Sequence, residues 1–357
     1  MIGVDYLNKK SKDLNTDYTS IDLFKLICSY LVITIHCTPF LIFGEKVDLF
    51  LVSTVSRIAV PFFFACSGFL FFGNLDYHND KIINCKSNRK KLCKYVGRIF
   101  LLYIVWSAIY LTIQIPEWYN SGWLSLNAFI DYFISIFWSS SYFHLWYLID
   151  IVYATVLIYF TMNLLKRKVV YVIAIALYLL GVLVYSYYWL PLDSLDIIKN
   201  IYLKFPALWD SVTRAYPLLL LGLFASRVNR AKNNNINFLF FLIFFLLLCT
   251  EFYYINTFTE NHSNFSYIIF SVPLGYFFFS WVINLNLNLN KKISKIIRNM
   301  STIIYCVHPL VLHFFKNYCS FDNIYIYLFV SFISTIISYL IIKISKIKLF
   351  SFLKYLY

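Results

Sequence analysis

The chain has 357 residues, of which 61% are hydrophobic, 21% aromatic and 13% charged. A soluble domain has about 45–50% apolar and about 25% charged residues, so this composition excludes an ordinary soluble globule. The formal net charge of +14 does not indicate a nucleic-acid partner, because Lys and Arg lie in short loops where they orient a membrane protein. The composition predicts an all-α, polytopic transmembrane helical bundle, and the bacterial cytoplasmic membrane is the expected location.

Ten apolar segments are predicted to cross the membrane, because each approaches the roughly 20 residues that span a bilayer. They are 21–43, 47–73, 95–115, 144–164, 168–189, 212–229, 236–255, 265–285, 301–318 and 324–345. Lys and Arg concentrate in alternate loops, and since positive residues favour the cytoplasm, both termini are predicted to be cytoplasmic. The chain is thus divided into a polar cytoplasmic segment at 1–20, a transmembrane domain at 21–345 and a basic cytoplasmic tail at 346–357.

Two connections on the outer side are longer than simple turns. The segment 115–143 is rich in Trp, Phe and Tyr, which are typical of the membrane interface, so we predict an interfacial helix there. The segment 191–210 is predicted to cover the outer mouth of a cavity. The eight Cys residues show neither a CxxC motif nor a metal-like spacing with His, so neither a metal site nor a disulfide framework is predicted.

The first predicted span places three ionisable residues, Asp22, Lys25 and His36, in an apolar helix. Charged side chains are costly inside a membrane and usually mark a site or a pathway. Lys25 and His36 are eleven positions apart, close to three whole turns, so they share one helix face at a distance of about 16 Å. Lys25 lies near the cytoplasmic end, where it either faces a site or extends to the lipid headgroups. Asp22 is predicted to cap the helix N-terminus.

The second span carries Arg57 in its outer part, at a depth similar to that of His36. Pro61 is expected to kink this helix, and Gly68 is expected to allow close backbone approach. Antiparallel packing of the two spans would bring His36 and Arg57 to one ligand. A neutral His accepts a proton from a hydroxyl, and a neighbouring Arg orients a carbonyl or stabilises an oxyanion. His36 and Arg57 are therefore the predicted catalytic residues, against the alternative of a structural hydrogen bond.

Further polar and aromatic residues are candidates for binding. Those at or near the outer side are Trp146, Asp210, Arg214 and, nearer to mid-membrane, His308. On the inner side, Lys25, Lys94 and Arg98 are placed to hold the phosphates of a cytoplasmic donor, although a basic loop before a helix also serves topology alone. Three residues are given other roles: His144 and Glu251 are predicted to be interfacial, and Asp150 is predicted to pair with an Arg.

These features resemble the integral-membrane acyltransferase 3 family. In that family a basic residue of the first helix, usually Arg, precedes a His by eleven positions, as Lys25 precedes His36 here. The second-helix pattern is matched by RIAVPFFFACSG, which runs from Arg57 to Gly68 and includes Ser67. The segments HLWYL and IIYCVHPLVL also look familial, and the resemblance covers nearly all of the transmembrane domain. Within the family the chain is most similar to the membrane domains of the vancomycin-resistance serine racemases.

The resemblance implies transfer of an acyl group, usually acetyl, from cytoplasmic acyl-CoA to a hydroxyl of a cell-surface glycan or related acceptor. It implies that His36 is the general base or relays the acyl group, that Arg57 stabilises the oxyanion, and that Ser67 contributes to substrate or donor binding. Lys25 departs from the usual Arg and lacks its bidentate fork. The family's Arg-x-x-Arg pattern after the second span is also imperfect here, because Arg98 has Lys94 four places earlier.

Two alternatives compete with this interpretation. A transporter or flippase for an amino acid or a lipid-linked sugar would use the same His, Arg and Asp residues to bind substrate or relay protons, but no internal repeat is evident. A sensor or scaffold would leave unexplained why Lys25 and His36 share one face of an apolar helix.

Overall fold

The structure, a computed structural model, describes residues 18–187, 200, 203–228, 234–258, 265 and 267–357. The regular secondary structure of this part is helical except for an antiparallel hairpin of two short strands, β1 (Tyr77–His78) and β2 (Lys81–Ile82). The helices are α1 (Thr19–Cys37), α2 (Glu45–Thr54), α3 (Ala59–Phe72), α4 (Lys86–Asn120), α5 (Leu126–Trp138), α6 (Trp146–Leu164), α7 (Arg167–Tyr185), α8 (Pro206–Asp210), α9 (Tyr216–Arg227), α10 (Asn234–Phe258), α11 (Ser271–Ile283), α12 (Lys291–Tyr318) and α13 (Asn323–Ile344). Tighter or wider helical turns occupy Pro39–Phe43, Ser56–Ile58, Ser211–Ala215 and Lys348–Leu356.

Seven helices in the described part of the chain are long and apolar enough to cross a membrane, with α2 and α3 counted together. They correspond to seven of the ten predicted spans, and the all-helical membrane fold is confirmed. The other three predicted spans, 212–229, 265–285 and 301–318, contain α9, α11 and α12. Helices α9 and α11 have only 12 and 13 residues, and α12 begins with a basic, polar half. The count of ten and the cytoplasmic termini stay predictions, and residues 1–17 lie outside the described part.

The second predicted span is interrupted between α2 and α3. Helix α2 ends at Thr54, a 3-10 turn occupies Ser56–Ile58, and α3 begins at Ala59. Pro61 has no N–H to donate to the carbonyl of Arg57, so one helical hydrogen bond is missing at this point and the helix is free to tighten or kink there. The predicted kink is therefore present as a break, and the break places Arg57 in a tight turn between two helices.

Two glycines set the distance between α3 and α9. A methyl group at Gly68 would overlap the backbone of Leu219, and a methyl group at Gly222 would overlap the backbone of Ala65. The two helices therefore approach to backbone contact, as small residues allow in membrane bundles. The close approach predicted at Gly68 is confirmed, and Gly222 is its counterpart on the facing helix.

Asp22 was predicted to cap α1, and this prediction is wrong. The residue at the cap position is Tyr18, which makes no side-chain cap hydrogen bond. The carboxylate of Asp22 instead accepts two hydrogen bonds from Arg298 of α12, each at 2.9 Å, and one from Ser294 at 2.6 Å. A bidentate guanidinium partner outweighs the uncharged backbone N–H groups of a helix end. Asp22 therefore ties α1 to α12.

Helix α1 lies inside the bundle, where it packs against α12, α3 and α13. The face that carries Lys25 and His36 turns toward two cavities, with Lys25 lining one and His36 the other. The shared face predicted from the eleven-residue spacing is therefore directed at the protein interior, which avoids the cost of exposing these groups to lipid.

The long connections differ in how much of them the structure describes. The helix predicted within 115–143 is present as α5, and its position at the membrane interface stays a prediction. Within 191–210, residues 191–199 and 201–202 lie outside the described part, but Pro206 and Asp210 line a cavity. After α13, residues Lys348–Tyr357 fold back against α4 and are named the C-terminal strap below.

Candidate active site

Five of the residues predicted for the site, His36, Arg57, Trp146, Asp210 and Arg214, line a single cavity of about 330 Å³. This space, named the His36 cavity, is bounded by α1, α3, α6, α7, α8 and α12 and by the turns that hold Arg57 and Arg214. His36 reaches it from the last turn of α1, which ends where Thr38 adopts a left-handed conformation with φ 45°. The predicted catalytic residues His36 and Arg57 therefore face one space.

Three imidazole rings form a cluster at this cavity. The ring of His36 stacks on that of His308, with centroids 5.4 Å apart and planes inclined by 24°. The ring of His144 lies 5.5 Å from that of His308. His144 and His308 are buried, whereas His36 is half-buried and faces the cavity. Among the described residues, no group of three or more His, Cys, Asp or Glu side chains is arranged to hold a metal ion.

The hydrogen bond of His308 defines its tautomer. Its Nδ1 lies 3.1 Å from the carbonyl oxygen of Ile304, one turn earlier in α12. Because a carbonyl only accepts, Nδ1 carries the proton in the neutral ring and Nε2 is left as an acceptor. Within the described part of the chain, this Nε2 is buried and has no hydrogen-bond partner. The orientation of His308 is therefore fixed by its own helix.

Ion pairs fix Arg214 in the wall of the cavity. Its Nη2 lies 2.7 Å from Oδ2 of Asp210 and 3.5 Å from Oδ2 of Asp150. Its guanidinium carbon lies 3.8 Å from the centroid of the Trp146 ring, a cation–π distance. Asp210 also accepts a hydrogen bond from the Tyr185 hydroxyl at 3.2 Å. The predicted pairing of Asp150 with an Arg is confirmed, and Arg214 is held from several directions.

A π-helical turn, Ser211–Ala215, follows Asp210 and contains Arg214. Such turns are rare and often occur at functional sites, because the wider spacing redirects side chains. Within this turn, Ser211 donates a hydrogen bond to Asp150 at 3.1 Å. The turn thus connects α8 and α9 to α6 at the cavity.

A second cavity, of about 590 Å³, is lined by the predicted donor residues Lys25 and Arg98 and by Ser67, which was predicted to bind substrate or donor. It is named the Lys25 cavity. Arg298 and Lys354 also line it, and no acidic side chain does so among the described residues. The cavity therefore has a strongly positive lining, in contrast to the His36 cavity, where Asp210 faces Arg214.

Three aromatic side chains separate the two cavities. Phe63, Tyr147 and Tyr305 line both of them and are named the aromatic wall. The Tyr147 hydroxyl lies 3.4 Å from Oγ of Ser67 on the Lys25 side. The Tyr305 hydroxyl donates to the backbone carbonyl of His144 on the other side. Polar groups of the two cavities are thus one side chain apart.

Two predicted residues lie outside these linings. His308 stacks behind His36 without lining the His36 cavity. Lys94 is exposed and lines neither cavity, since it lies one helical turn before Arg98, nearer to the start of α4. The structure therefore brings the outer candidates together but leaves Lys94 apart from the other donor residues.

His144 and Glu251 were predicted to be interfacial, and both are buried in the protein. His144 joins the imidazole cluster. The carboxylate of Glu251 accepts hydrogen bonds from the backbone N–H groups of Ile269 and Phe270 at 2.8 and 3.0 Å. Glu251 therefore serves the N-terminal end of α11, where a negative charge is favourable.

The sequence interpretation missed two residues of the aromatic wall, Tyr147 and Tyr305. Tyr305 precedes His308 by three positions in α12, and this spacing places both on one helix face. That periodicity was a usable signal. Tyr147 follows Trp146 in the HLWYL segment and had no comparable signal, because tyrosine is frequent throughout the chain.

Comparison with known proteins identifies a family and several relatives. A family model described as an acyltransferase domain matches residues 18–343. An amino-acid racemase of Enterococcus faecalis is 26% identical over 300 residues, which are 82% of this chain and 40% of the racemase. A serine/alanine racemase of Enterococcus gallinarum is 24% identical over 262 residues, which are 72% of this chain and 36% of that protein. No solved structure matches the chain significantly.

These matches confirm the resemblance predicted from the motifs, both to the family and to the racemases. The chain spans about 40% of the length of the first racemase. The similarity therefore concerns one part of those proteins, and the activity of the whole racemase does not transfer with it.

Proposed function

We propose that this chain, which belongs to the acyltransferase 3 family and is a multi-pass membrane acyltransferase, transfers an acyl group from cytoplasmic acyl-CoA. The proposed acceptor is a hydroxyl of a cell-surface glycan or related molecule, and the expected acyl group is acetyl. Membership alone implies O-acyl transfer; the donor, the acceptor and the sides of the membrane are what we propose. The observation that supports the proposal is the aromatic wall, whose side chains line both cavities. A donor bound in the Lys25 cavity would therefore lie one side chain from the His36 cavity.

The Lys25 cavity supports a donor that carries phosphate groups. Lys and Arg bind phosphate through charge-assisted hydrogen bonds, and Lys25 and Arg98 contribute two of the positive charges in the lining. With the phosphates of acyl-CoA held there, its pantetheine arm would extend toward the aromatic wall, where Ser67 and Tyr147 lie. The thioester would then approach the His36 cavity.

His36 is proposed as the general base. It removes the proton of the acceptor hydroxyl while that oxygen forms a bond to the thioester carbonyl carbon. The carbon–sulfur bond then breaks, and His36 returns the proton to the departing thiolate, so CoA leaves as a thiol. The stacked ring of His308 restricts rotation of His36, and a fixed base is more effective than a mobile one.

Arg57 is proposed to stabilise the negative charge that develops on the thioester oxygen. Its guanidinium lines the same cavity as His36, and N–H donors aimed at a developing oxyanion supply a large part of many rate enhancements. The aromatic rings of Trp146 and Tyr185 and the carboxylate of Asp210 line the cavity as well. Apolar faces combined with a few polar groups suit a sugar that carries hydroxyls.

Reconstitution of the purified protein tests the proposal. Proteoliposomes would receive acetyl-CoA labelled in its acetyl group on one side and cell-wall or capsule glycans on the other. The proposal expects label on the glycan with an equal amount of free CoA. Mass spectrometry of surface glycans from a deletion strain would identify the acceptor as the glycan that loses an acetyl group. Wild-type protein that transfers no label to any such acceptor would contradict the proposal.

A second candidate is transport of an amino acid or a lipid-linked sugar. It is favoured by similarity to proteins named amino-acid racemase and serine/alanine racemase. Two cavities separated by three side chains would also suit a path for a transported substrate. Uptake of serine or alanine by the same proteoliposomes without acetyl-CoA would support transport. Acetylation that depends on acetyl-CoA, without uptake, would support the enzyme.

A further inference from the structure

The C-terminal strap is anchored to the helical bundle at its far end. Trp106 Nε1 in α4 donates a hydrogen bond to the carbonyl of Leu356 at 3.2 Å. The hydroxyl of Tyr357 lies 2.8 Å from Oγ of Ser345, which follows α13. Leu356 and Tyr357 also pack against the main apolar core. The strap therefore has a defined position between α4 and α13.

The strap presents different side chains in two directions. Lys354, Tyr355 and Tyr357 line the Lys25 cavity. Leu349 and Phe352 do not line it, and they are 77% and 58% exposed, as expected for apolar side chains that meet lipid at a membrane surface. The strap thus forms one wall of the Lys25 cavity and adds a positive charge to it.

The charges around the Lys25 cavity are unbalanced. Lys25, Arg98 and Lys354 come from α1, α4 and the strap, and none makes an ion pair with another residue that the structure describes. Arg298, a fourth cation of the lining, is paired with Asp22. Like charges that line one cavity raise the positive potential there and repel one another. A ligand with several negative charges would relieve this repulsion.

We propose that the strap is part of the donor site and that Lys354 is a third phosphate ligand, beside Lys25 and Arg98, for a nucleotide-containing donor of the acyl-CoA type. The inference rests on the proposed function and adds a donor-binding residue to it. Because the family match ends at residue 343, this contact comes from the chain's own C-terminal segment and not from the matched domain.

Binding of CoA to the purified full chain in nanodiscs of neutral phosphatidylcholine tests the proposal. Lys354→Gln removes the charge, Lys354→Arg keeps it, and Lys348→Gln is the matched control, because Lys348 belongs to the strap but does not line the cavity. Lys354 is exposed, so the variants should fold. Loss of one exposed contact is expected to raise the Kd of Lys354→Gln for CoA by about 2- to 5-fold. Lys354→Arg and Lys348→Gln should bind CoA as the wild type does. Pantetheine, which lacks the nucleotide phosphates, should bind Lys354→Gln and wild type equally.

Equal affinity of wild type and Lys354→Gln for CoA would overturn the inference, and so would an equal loss for pantetheine or for Lys348→Gln. Nanodiscs containing phosphatidylglycerol separate the two sources of phosphate. If Lys354→Gln weakens retention of that lipid but leaves CoA affinity unchanged in neutral nanodiscs, Lys354 contacts headgroups and the inference fails. Wild-type protein that binds no CoA at all would contradict the proposed donor itself, which is a distinguishable result.

Discussion

The imidazole rings of His36 and His308 stack with their centroids 5.4 Å apart. His36 faces the cavity, whereas His308 is buried and donates through Nδ1 to the carbonyl of Ile304. A ring fixed by its own helix therefore stacks on the ring that faces the cavity. We propose His308 as a positioning residue for His36, the proposed base.

Substitution of His36 and of His308 should affect catalysis differently. His36→Ala removes the proposed base and should lower kcat by about 10²- to 10⁴-fold. His308→Phe keeps a ring for stacking but loses the hydrogen bond that fixes it, so a loss of about 10-fold in kcat is expected, with KM for the acceptor unchanged. Steady-state acetyl transfer measures both. Added imidazole should restore part of the activity of His36→Ala only, and wild-type activity of His36→Ala would exclude His36 as the base.

Arg98 and Lys94 should differ in their effect on the donor. Arg98 lines the Lys25 cavity, whereas Lys94 is exposed and lines neither cavity. Arg98→Gln is therefore expected to raise KM for acetyl-CoA by about 2- to 5-fold, as loss of one exposed charge contact would. Lys94→Gln should leave KM unchanged. Initial rates at varied acetyl-CoA would contradict the assignment if both substitutions had the same effect.

Loss of Asp22 should destabilise the packing of α1 on α12. The carboxylate is buried, but the side chain of Arg298 is 50% exposed, so the cost of Asp22→Ala is expected to be about 2 kcal/mol, below that of a fully buried pair. Unfolding in detergent, followed by tryptophan fluorescence, measures it. The double variant Asp22→Ala with Arg298→Ala should be less destabilised than the sum of the single variants. Strict additivity would show that the pair contributes nothing.

Gly68→Ala should destabilise the bundle by more than about 2 kcal/mol, because the added methyl group would overlap the backbone of Leu219 and a backbone cannot move aside as a side chain can. Gly97→Ala in α4 is the matched control, since the space around Gly97 is open. That substitution should be neutral or stabilising by up to about 1 kcal/mol through helix propensity. The midpoint of thermal unfolding measures both, and equal midpoints would contradict the backbone contact between α3 and α9.

The sequence predicts those parts of the site that are unusual in a membrane. His36 and Arg57 were identified because ionisable groups in apolar segments are costly, and the structure places both at one cavity. The spacing of Lys25 and His36 also predicts their common helix face. The contact between Asp22 and Arg298 joins residues 276 positions apart, and it depends on which helices are neighbours, which spacing within one helix does not reveal.

The tyrosines of the aromatic wall, unlike His36 and Arg57, were not identified from the sequence. Aromatic residues make up 21% of the chain, so no single Tyr or Phe stands out as part of a site. Tyr147 and Tyr305 acquire a role only when the packing of α6 and α12 creates a space on each side of them. The same holds for Lys354, one basic residue among several near the C-terminus. It lines the Lys25 cavity only because the strap folds back over that cavity.

The aromatic wall has a consequence for the motions that the reaction requires. Because Phe63, Tyr147 and Tyr305 each line both cavities, rotation about their side-chain torsions is the motion that we expect to join the two spaces. The helices keep their positions during such a rotation, whereas alternating access rocks one group of helices against another. A bundle locked by covalent cross-links between its helices would therefore still pass an acyl group from one cavity to the other, but it could not complete a transporter's cycle.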